Sequence, residues 1–249
     1  MFYLIGWKRN MNENRNILWF DIETAPECLT EVERATYPKR KLWEKKSETN
    51  EWIEWTFNWY IKKASVYPEF SKVVCVSFKL WDKVKTISIK DSDEKKLLEE
   101  IHPILHQQMN RLWWFNIYNF DIPFLWKRYI INWYLPPMWL DIANVKPWEL
   151  DDVMVDVMQI WKHTSFWCSL DLLSMTLLWE SPKSEWTWEY IASALLANNY
   201  DWIEKYCEWD VLYAEKCYEY IMNPEEIEIK KPEKSAKEIA EAKMAEPIE

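Results

Sequence analysis

Glycine is nearly missing from this chain, which has one glycine and 20 tryptophans among its 249 residues. Average proteins contain about 7% glycine, so roughly 17 glycines are expected at this length. Glycine and tryptophan together number 21, which is close to that expectation. Several tryptophans stand where turns and helix ends ordinarily carry glycine: Trp133, Trp167, Trp179, Trp186, Trp188 and Trp202. We therefore hypothesise that the source reads the codon UGA as glycine and that the printed sequence was translated with a code that reads it as tryptophan. Trp43, Trp148 and Trp161 are interpreted as genuine tryptophans.

Long apolar runs are missing as well. No apolar stretch approaches the roughly 20 residues of a membrane span, and the apolar segment 1–6 is too short for a secretory signal. The five cysteines are odd in number, dispersed, and lack metal-ligand spacing. These absences exclude a disulfide framework and predict a cytoplasmic protein with reduced cysteines and no membrane partner.

Positive charge is also in deficit, with 31 Lys and Arg residues against 41 Asp and Glu and a net charge of −10. That balance excludes broad electrostatic wrapping of nucleic acid. It does not exclude an enzyme that grips a chain end through bound metal ions. The hydrophobic content of 49% is sufficient for a core, and the length predicts one domain of about 200 residues plus tails.

Four acidic residues in three separated segments are the most informative feature that is present. The apolar run before Asp21 is typical of a buried strand, and alternation along a strand points Asp21 and Glu23 to the same side. Asp121 is followed by a helical pattern, so it stands at a predicted helix start. Tyr206 and Asp210 are four residues apart in a long amphipathic segment, which places both on one face of a helix.

The convergence of these carboxylates predicts a site for divalent metal ions. A charge at the end of a buried strand is costly unless something pairs with it, and neighbouring carboxylates repel one another unless a cation lies among them. Each motif alone is more commonly a turn, a helix cap or a solvated face. Their combination in this order favours a catalytic site.

The three motifs resemble those of the DEDD superfamily of 3′–5′ exonucleases, and most closely the stand-alone relatives of the family B DNA polymerase exonuclease domain. The matching stretches are FDIET at 20–24, NIYNFDIPFL at 116–125 and YCEWDV at 206–211. Tyr206 stands where the other subgroup has histidine, which places the chain in the tyrosine subgroup. The resemblance covers about 17–222 and implies an α/β ribonuclease H-like fold with a mixed five-stranded sheet flanked by helices.

The resemblance also implies a role for each site residue. Two Mg²⁺ (or Mn²⁺) ions would be held by the four carboxylates of Asp21, Glu23, Asp121 and Asp210, with Asp21 bridging both ions. Tyr206 would orient the nucleophilic water through its hydroxyl. The five residues are therefore the predicted catalytic set.

Three further residues match family positions that contact the terminal nucleotides: Thr24, Asn116 and Phe120. For Phe120, core packing is an equally good interpretation. Trp114 falls at a position that is habitually glycine in the resembled family, and Trp209, beside Asp210, is included in the recoding hypothesis.

The predicted activity is hydrolysis of phosphodiester bonds from the 3′ end of single-stranded DNA by a two-metal-ion mechanism. An RNA 3′–5′ exonuclease is an open alternative, because no sequence motif reveals a 2′-hydroxyl contact. A nucleic-acid-binding module that has lost catalysis is a second alternative, and the presence of all five site residues disfavours it. The sequence does not identify a replication or repair partner.

Domain boundaries follow from composition and periodicity. The sequence predicts an N-terminal extension at 1–16, an exonuclease domain at 17–222 with a polar insert at about 25–66, and a charged tail at 223–249. Predicted strands lie at 17–24, 72–81, 84–91, 111–117 and 154–160, and predicted helices at 94–109, 122–132, 169–178, 190–198 and 201–222.

Overall fold

The sheet of this protein is mixed and five-stranded. The computed structural model describes residues 16–36, 60–61, 63–106, 110–143, 145, 147–150, 154–162, 167–180 and 190–225. Its strands are β1 (Asn16–Pro26), β2 (Ser71–Leu80), β3 (Lys83–Ser88), β4 (Asn110–Trp114) and β5 (Met154–Asp156). Their order is β3-β2-β1-β4-β5, with β1 antiparallel to β2 and parallel to β4. This topology confirms the predicted α/β architecture.

Helices flank the sheet. They are α1 (Glu31–Thr36), α2 (Glu94–Leu105), α3 (Asp121–Ile131), α4 (Pro147–Leu150), α5 (Val157–Lys162), α6 (Leu170–Leu178), α7 (Tyr190–Leu196) and α8 (Tyr200–Met222), with a short 3-10 turn at Met138–Leu140. The 23-residue helix α8 packs across β1, β2 and β3. None of the helices in the described ranges has the length and apolar character that a membrane span requires.

The hydrophobic core packs against both faces of β1. Leu18, Phe20 and Ile22 are at most 4% exposed and lie on one face of the strand. On the other face, Trp19 contacts Trp113 of β4 at a ring-centroid distance of 5.5 Å and a tyrosine of α8 at 5.9 Å. A strand enclosed in this way is rigid, which suits a strand that delivers functional side chains.

Two strands end earlier than their apolar patterns predict. The strand prediction at 154–160 is wrong after residue 156, because the chain turns at Asp156 into helix α5. The prediction at 111–117 is likewise too long, since β4 ends at Trp114 and a turn follows. A short apolar run is compatible with a strand or a buried helix, and only packing decides between them.

The predicted domain boundaries fall largely outside the described residues. Residues 1–15 and 226–249 lie outside them, as does most of the predicted insert, and the boundaries therefore stay predictions. β1 begins at Asn16 and runs to Pro26, so the strand takes in one residue of the predicted extension and two of the predicted insert. Within the insert, α1 and the buried Tyr60 are described.

Three tryptophans have the left-handed backbone conformation that favours glycine. Among the described residues with positive φ are Trp81 at 54°, Trp133 at 57° and Trp179 at 59°. Bulky residues rarely adopt positive φ, because Cβ then approaches the neighbouring carbonyl oxygen. Trp133 and Trp179 are among the tryptophans predicted to replace glycine, whereas the sequence did not single out Trp81.

Each of these three positions is a turn or a helix end. After α3, Trp133 N donates to the Ile130 carbonyl at 3.0 Å and Tyr134 N to the Tyr129 carbonyl at 2.9 Å. This pair of bonds is the Schellman motif, whose left-handed residue is usually glycine. Trp179 ends α6, and Trp81 begins the two-residue turn between β2 and β3.

The other tryptophans that the sequence predicts to replace glycine do not have a positive φ, or lie outside the described residues. Trp114, Trp167, Trp202 and Trp209 are not among the positive-φ residues, while Trp186 and Trp188 lie outside the described residues.

Candidate active site

β1 delivers two of the four predicted carboxylates. Asp21 and Glu23 lie on the same side of the strand, opposite Ser77 and Cys75 of β2, and the strand register shifts directly after Glu23. Asp21 is 4% exposed and Glu23 8%. Donor atoms of Asp21, Glu23 and Cys207 all lie within 4.8 Å of one another. The carboxyl groups of Asp21 and Glu23 therefore lie next to helix α8 at Cys207.

Helix α8 delivers Tyr206 and Asp210 to the same point, since residues four apart share a helix face. Both residues are buried, and the ring of Tyr206 stacks on Trp202 at a centroid distance of 5.2 Å. Between them on the helix, the Sγ of Cys207 donates to Asp21 Oδ2 at 3.3 Å. Burial raises the pKa of Cys207 well above its usual value, so the thiol stays protonated and acts as a donor that orients Asp21.

A row of polar contacts holds α8 against β2 and β3. The Thr86 hydroxyl donates to Glu208 Oε1 at 2.7 Å, Lys90 forms an ion pair with Asp201 at 2.7 Å, and Lys79 forms one with Glu215. Because these contacts span most of the helix, they fix its position along the sheet. The orientation of Tyr206 and Asp210 follows from that position.

Helix α3 delivers the fourth carboxylate. Asp121 is its first residue and is 1% exposed. Further along α3, Arg128 is buried and donates through Nε to Glu94 Oε1 of α2 at 2.8 Å and through Nη1 to the Pro68 carbonyl at 2.6 Å. A buried ion pair of this kind fixes orientation, and loss of one partner costs about 3–5 kcal/mol. It therefore holds the helix that begins at Asp121.

The electrostatics of the cluster show that the acids are close neighbours. Burial raises the pKa of Asp21 well above its ordinary value, and the charges of Glu23, Asp210 and Asp121 raise it further. Burial also raises the pKa of Asp121, where Asp210 again contributes; the backbone N–H groups of Asp121 itself and Ile22 oppose that rise. Carboxyls that perturb one another in this way share one charge environment.

The donor set fits a hard divalent cation. Within the described part of the chain, neither Asp21 nor Asp121 forms an ion pair with a basic side chain. Buried carboxylates need a positive partner, and Mg²⁺ and Mn²⁺ prefer oxygen ligands such as carboxylates and water. The neutral Cys207 thiol adds no preference for a soft metal.

The three predicted substrate-contacting residues lie near the cluster in different environments. Thr24 is buried, and its hydroxyl donates to the Ser65 carbonyl at 2.8 Å. Asn116 has a positive φ of 68°. Phe120 is partly buried and packs on Phe124 at a centroid distance of 5.3 Å, which agrees with the core-packing interpretation.

Sequence analysis missed one further buried acid, Asp156. It is 2% exposed and lies close enough to Asp121 for its charge to raise the pKa of that residue. Burial raises the pKa of Asp156 to about 6. The available signal was a single acid inside the apolar run 154–158, which the sequence analysis assigned to a strand.

Structural comparison shows the fold. The family B DNA polymerase of the hyperthermophilic archaeon Pyrobaculum calidifontis superimposes with a TM-score of 0.54 and 13% identity, over 84% of this chain and 25% of the polymerase. The Nibbler EXO domain of Aedes aegypti gives 0.46 and 11% over 95% of this chain and 90% of that domain. E. coli Exonuclease I, in a complex with an oligonucleotide, gives 0.36 and 10% over 85% and 41%. This chain thus spans about a quarter of the polymerase it resembles.

Sequence comparison shows the family. No curated protein sequence gives a match. The profile of one family, described as a predicted 3′-5′ exonuclease related to the exonuclease domain of PolB, matches residues 66–225. The match includes Asp121, Tyr206 and Asp210 and begins after the β1 residues Asp21 and Glu23. Because the matched region is more than half of its length, the chain belongs to this family of exonucleases related to the exonuclease domain of PolB.

Proposed function

We propose that this protein is a metal-dependent 3′–5′ exonuclease that removes nucleotides from the 3′ end of single-stranded DNA. Membership of the exonuclease family makes it a nuclease-type hydrolase that acts on nucleic acid. The observation that best supports the finer proposal is the meeting of four buried carboxylates from β1, α3 and α8. The proposed catalytic unit is the domain at 17–222.

The proposed metal ligands are the four carboxylates. Two Mg²⁺ ions held by these residues would activate the attacking water and stabilise the leaving oxygen. Asp21 would be shared between the two ions, Glu23 and Asp210 would complete one, and Asp121 would contribute to the other. Their burial in a fixed scaffold means that little reorganisation is needed when the substrate arrives.

Tyr206 and Cys207 are proposed to orient groups rather than to transfer protons. The Tyr206 hydroxyl, buried beside Asp210 on the same helix face, would direct the attacking water toward phosphorus. Cys207 would orient the Asp21 carboxylate through the 3.3 Å contact between Sγ and Oδ2. Both residues thus support the geometry of hydrolysis, which demands alignment of the reacting atoms.

A single strand suits the surroundings of the cluster. Phe120 is only partly buried, and an aromatic ring can stack on an unpaired base in a way that tolerates any sequence. The net charge of −10 disfavours extended contact with duplex phosphates. We therefore propose that Asn116 and Phe120 contact the terminal nucleotides, while Thr24 contributes through the backbone position that its bond to Ser65 fixes.

The test uses 5′-labelled single strands of DNA and of RNA with the same sequence. Purified protein should convert the DNA into a ladder of shorter labelled products in Mg²⁺, and EDTA should abolish the ladder. Asp21→Asn, which keeps the side-chain shape, serves as the inactive control. A ladder that persists in EDTA, or cleavage of a circular single strand, would contradict the proposal. Faster shortening of the RNA would transfer the proposed substrate from DNA to RNA.

A further inference from the structure

Asp156 gathers three backbone donors beside the four carboxylates. It ends β5, pairs in register with Trp114 of β4, and is 2% exposed. Its Oδ1 accepts hydrogen bonds from the N–H groups of Asn116 at 2.8 Å, Met158 at 3.0 Å and Gln159 at 3.4 Å. Two of these donors belong to the start of α5, whereas the first belongs to the loop after β4. Asp156 therefore ties two parts of the chain together.

The tied loop, residues 115–120, leads directly to Asp121. Asn116 turns the chain with a positive φ of 68°. Its carbonyl then accepts hydrogen bonds from the N–H groups of Asn119 and Phe120, each at 3.2 Å. These bonds close a compact turn, so a shift of Asn116 moves the whole turn. The residue that follows the turn is Asp121 at the start of α3.

A second bond joins the same loop to the same short strand. The hydroxyl of Tyr118 donates to the Met154 carbonyl at 3.0 Å. β5 therefore contacts the loop at both of its ends, through Met154 and through Asp156. A strand of three residues adds little to the sheet, but at this place it fixes a loop.

We propose that Asp156 is a positioning residue of the exonuclease site, which sets the place of Asp121 by anchoring the turn at Asn116. The inference rests on the proposed function, because it assigns Asp121 to a metal ion. Asp156 is not itself a suitable metal ligand through Oδ1, since three N–H donors already engage that oxygen. Residues that orient ligands in this way typically affect metal affinity or activity by about 10–100-fold when they are changed.

The test compares Asp156→Ala with Asp156→Asn. The alanine variant removes the acceptor, while asparagine keeps an oxygen in the same place. Mn²⁺ binding is measured by calorimetry on the full chain without nucleic acid, and kcat and KM are measured on a single-stranded oligonucleotide. Asp156→Ala should weaken Mn²⁺ binding and lower kcat by about 10–100-fold each, with KM little changed. Asp156→Asn should stay close to the wild type in both measurements.

Two more variants keep the result interpretable. Asp141→Ala removes an exposed carboxylate that also accepts a backbone N–H, from Ala143 at 3.2 Å, and should change neither measurement. Tyr118→Phe removes the second anchor and should lower kcat less than Asp156→Ala, which tests the anchoring even if the alanine variant does not fold.

Equal impairment of Asp156→Asn and Asp156→Ala would overturn the inference, because charge rather than anchoring would then matter. Wild-type Mn²⁺ binding by Asp156→Ala would overturn it too. If the wild type binds Mn²⁺ but degrades no nucleic acid, the proposed function fails while the calorimetric comparison still decides the anchoring.

Discussion

Replacing Trp81 and Trp133 by glycine should stabilise this protein, although such changes remove two of the largest side chains. Both residues have positive φ, at 54° and 57°. A non-glycine residue held in this conformation costs about 1–3 kcal/mol. Glycine removes that cost, but its greater conformational freedom in the unfolded chain reduces the gain in stability by about 0.5–1 kcal/mol. Burial offers little compensation, since Trp133 is 95% exposed and Trp81 66%. The expected gain is about 0–2.5 kcal/mol at each position.

The assay is thermal and urea unfolding of the double variant beside the chain as printed. For a domain of this size, each kcal/mol should raise Tm by about 2–4 °C. The matched control is the double alanine variant at the same positions, which removes the rings but not the unfavourable φ and should gain much less. Asn198→Gly is a second control, because Asn198 has the same conformation at 55° and asparagine tolerates it.

A buried tryptophan gives the opposite control. Trp113 lies in β4, is 1% exposed and has no positive φ, so Trp113→Gly should cost at least about 3–5 kcal/mol through the cavity it leaves. If the glycine variants at 81 and 133 are less stable than the printed chain, the backbone argument is refuted. Peptide mass spectrometry of the natural protein tests recoding itself, and tryptophan masses at 81, 133 and 179 would exclude it at those positions.

Further predictions concern the carboxylate cluster. Asp21→Ala and Asp210→Ala should abolish turnover while keeping or slightly raising Tm, because each removes a charge from a repelling group; Tyr206→Phe should reduce kcat less than either, and equal severity would contradict its orienting role. In metal-free protein the pKa of Asp21 and Asp121 is raised on folding, so the native state binds more protons and stability should fall as pH rises from about 4 through the raised pKa values. Asp121→Asn should flatten that fall, and Mg²⁺ at 100 times its Kd should add about 2.7 kcal/mol at neutral pH. A Tm that neither Mg²⁺ nor EDTA changes at neutral pH would contradict this.

The sequence by itself determined the elements that carry the site. The apolar run before Asp21 required a buried strand, and period-two alternation put Asp21 and Glu23 on one side of it. The four-residue spacing of Tyr206 and Asp210 likewise required one helix face. These are local geometric consequences of repeat periods, so no tertiary information was needed. The family resemblance supplied the architecture, and the sheet order agrees with it.

The sequence also predicted two helix ends at which glycine is the favoured residue. Trp133 and Trp179 were predicted from the turn chemistry of their neighbours, and both have left-handed φ. Trp81 was missed because the predicted strand 72–81 included it, and only the pairing of Leu80 with Lys83 shows that it begins the turn. The register depends on how two strands pair, so the sequence of either strand alone does not determine it.

Only the tertiary structure decided how the three segments meet and what holds them. Asp156 lies in an apolar run that the local pattern assigns to a strand. Its proposed role depends on a hydrogen bond from the backbone N–H of Asn116, 40 residues earlier in the chain. Cys207 has no motif of its own, yet its thiol contacts Asp21 from 186 residues away. Hydrogen bonds between distant segments depend on which faces pack together, and packing is settled by the whole core rather than by any local repeat. For that reason the sequence predicted the carboxylates of the candidate site, while the side chains that contact them emerged only from the fold.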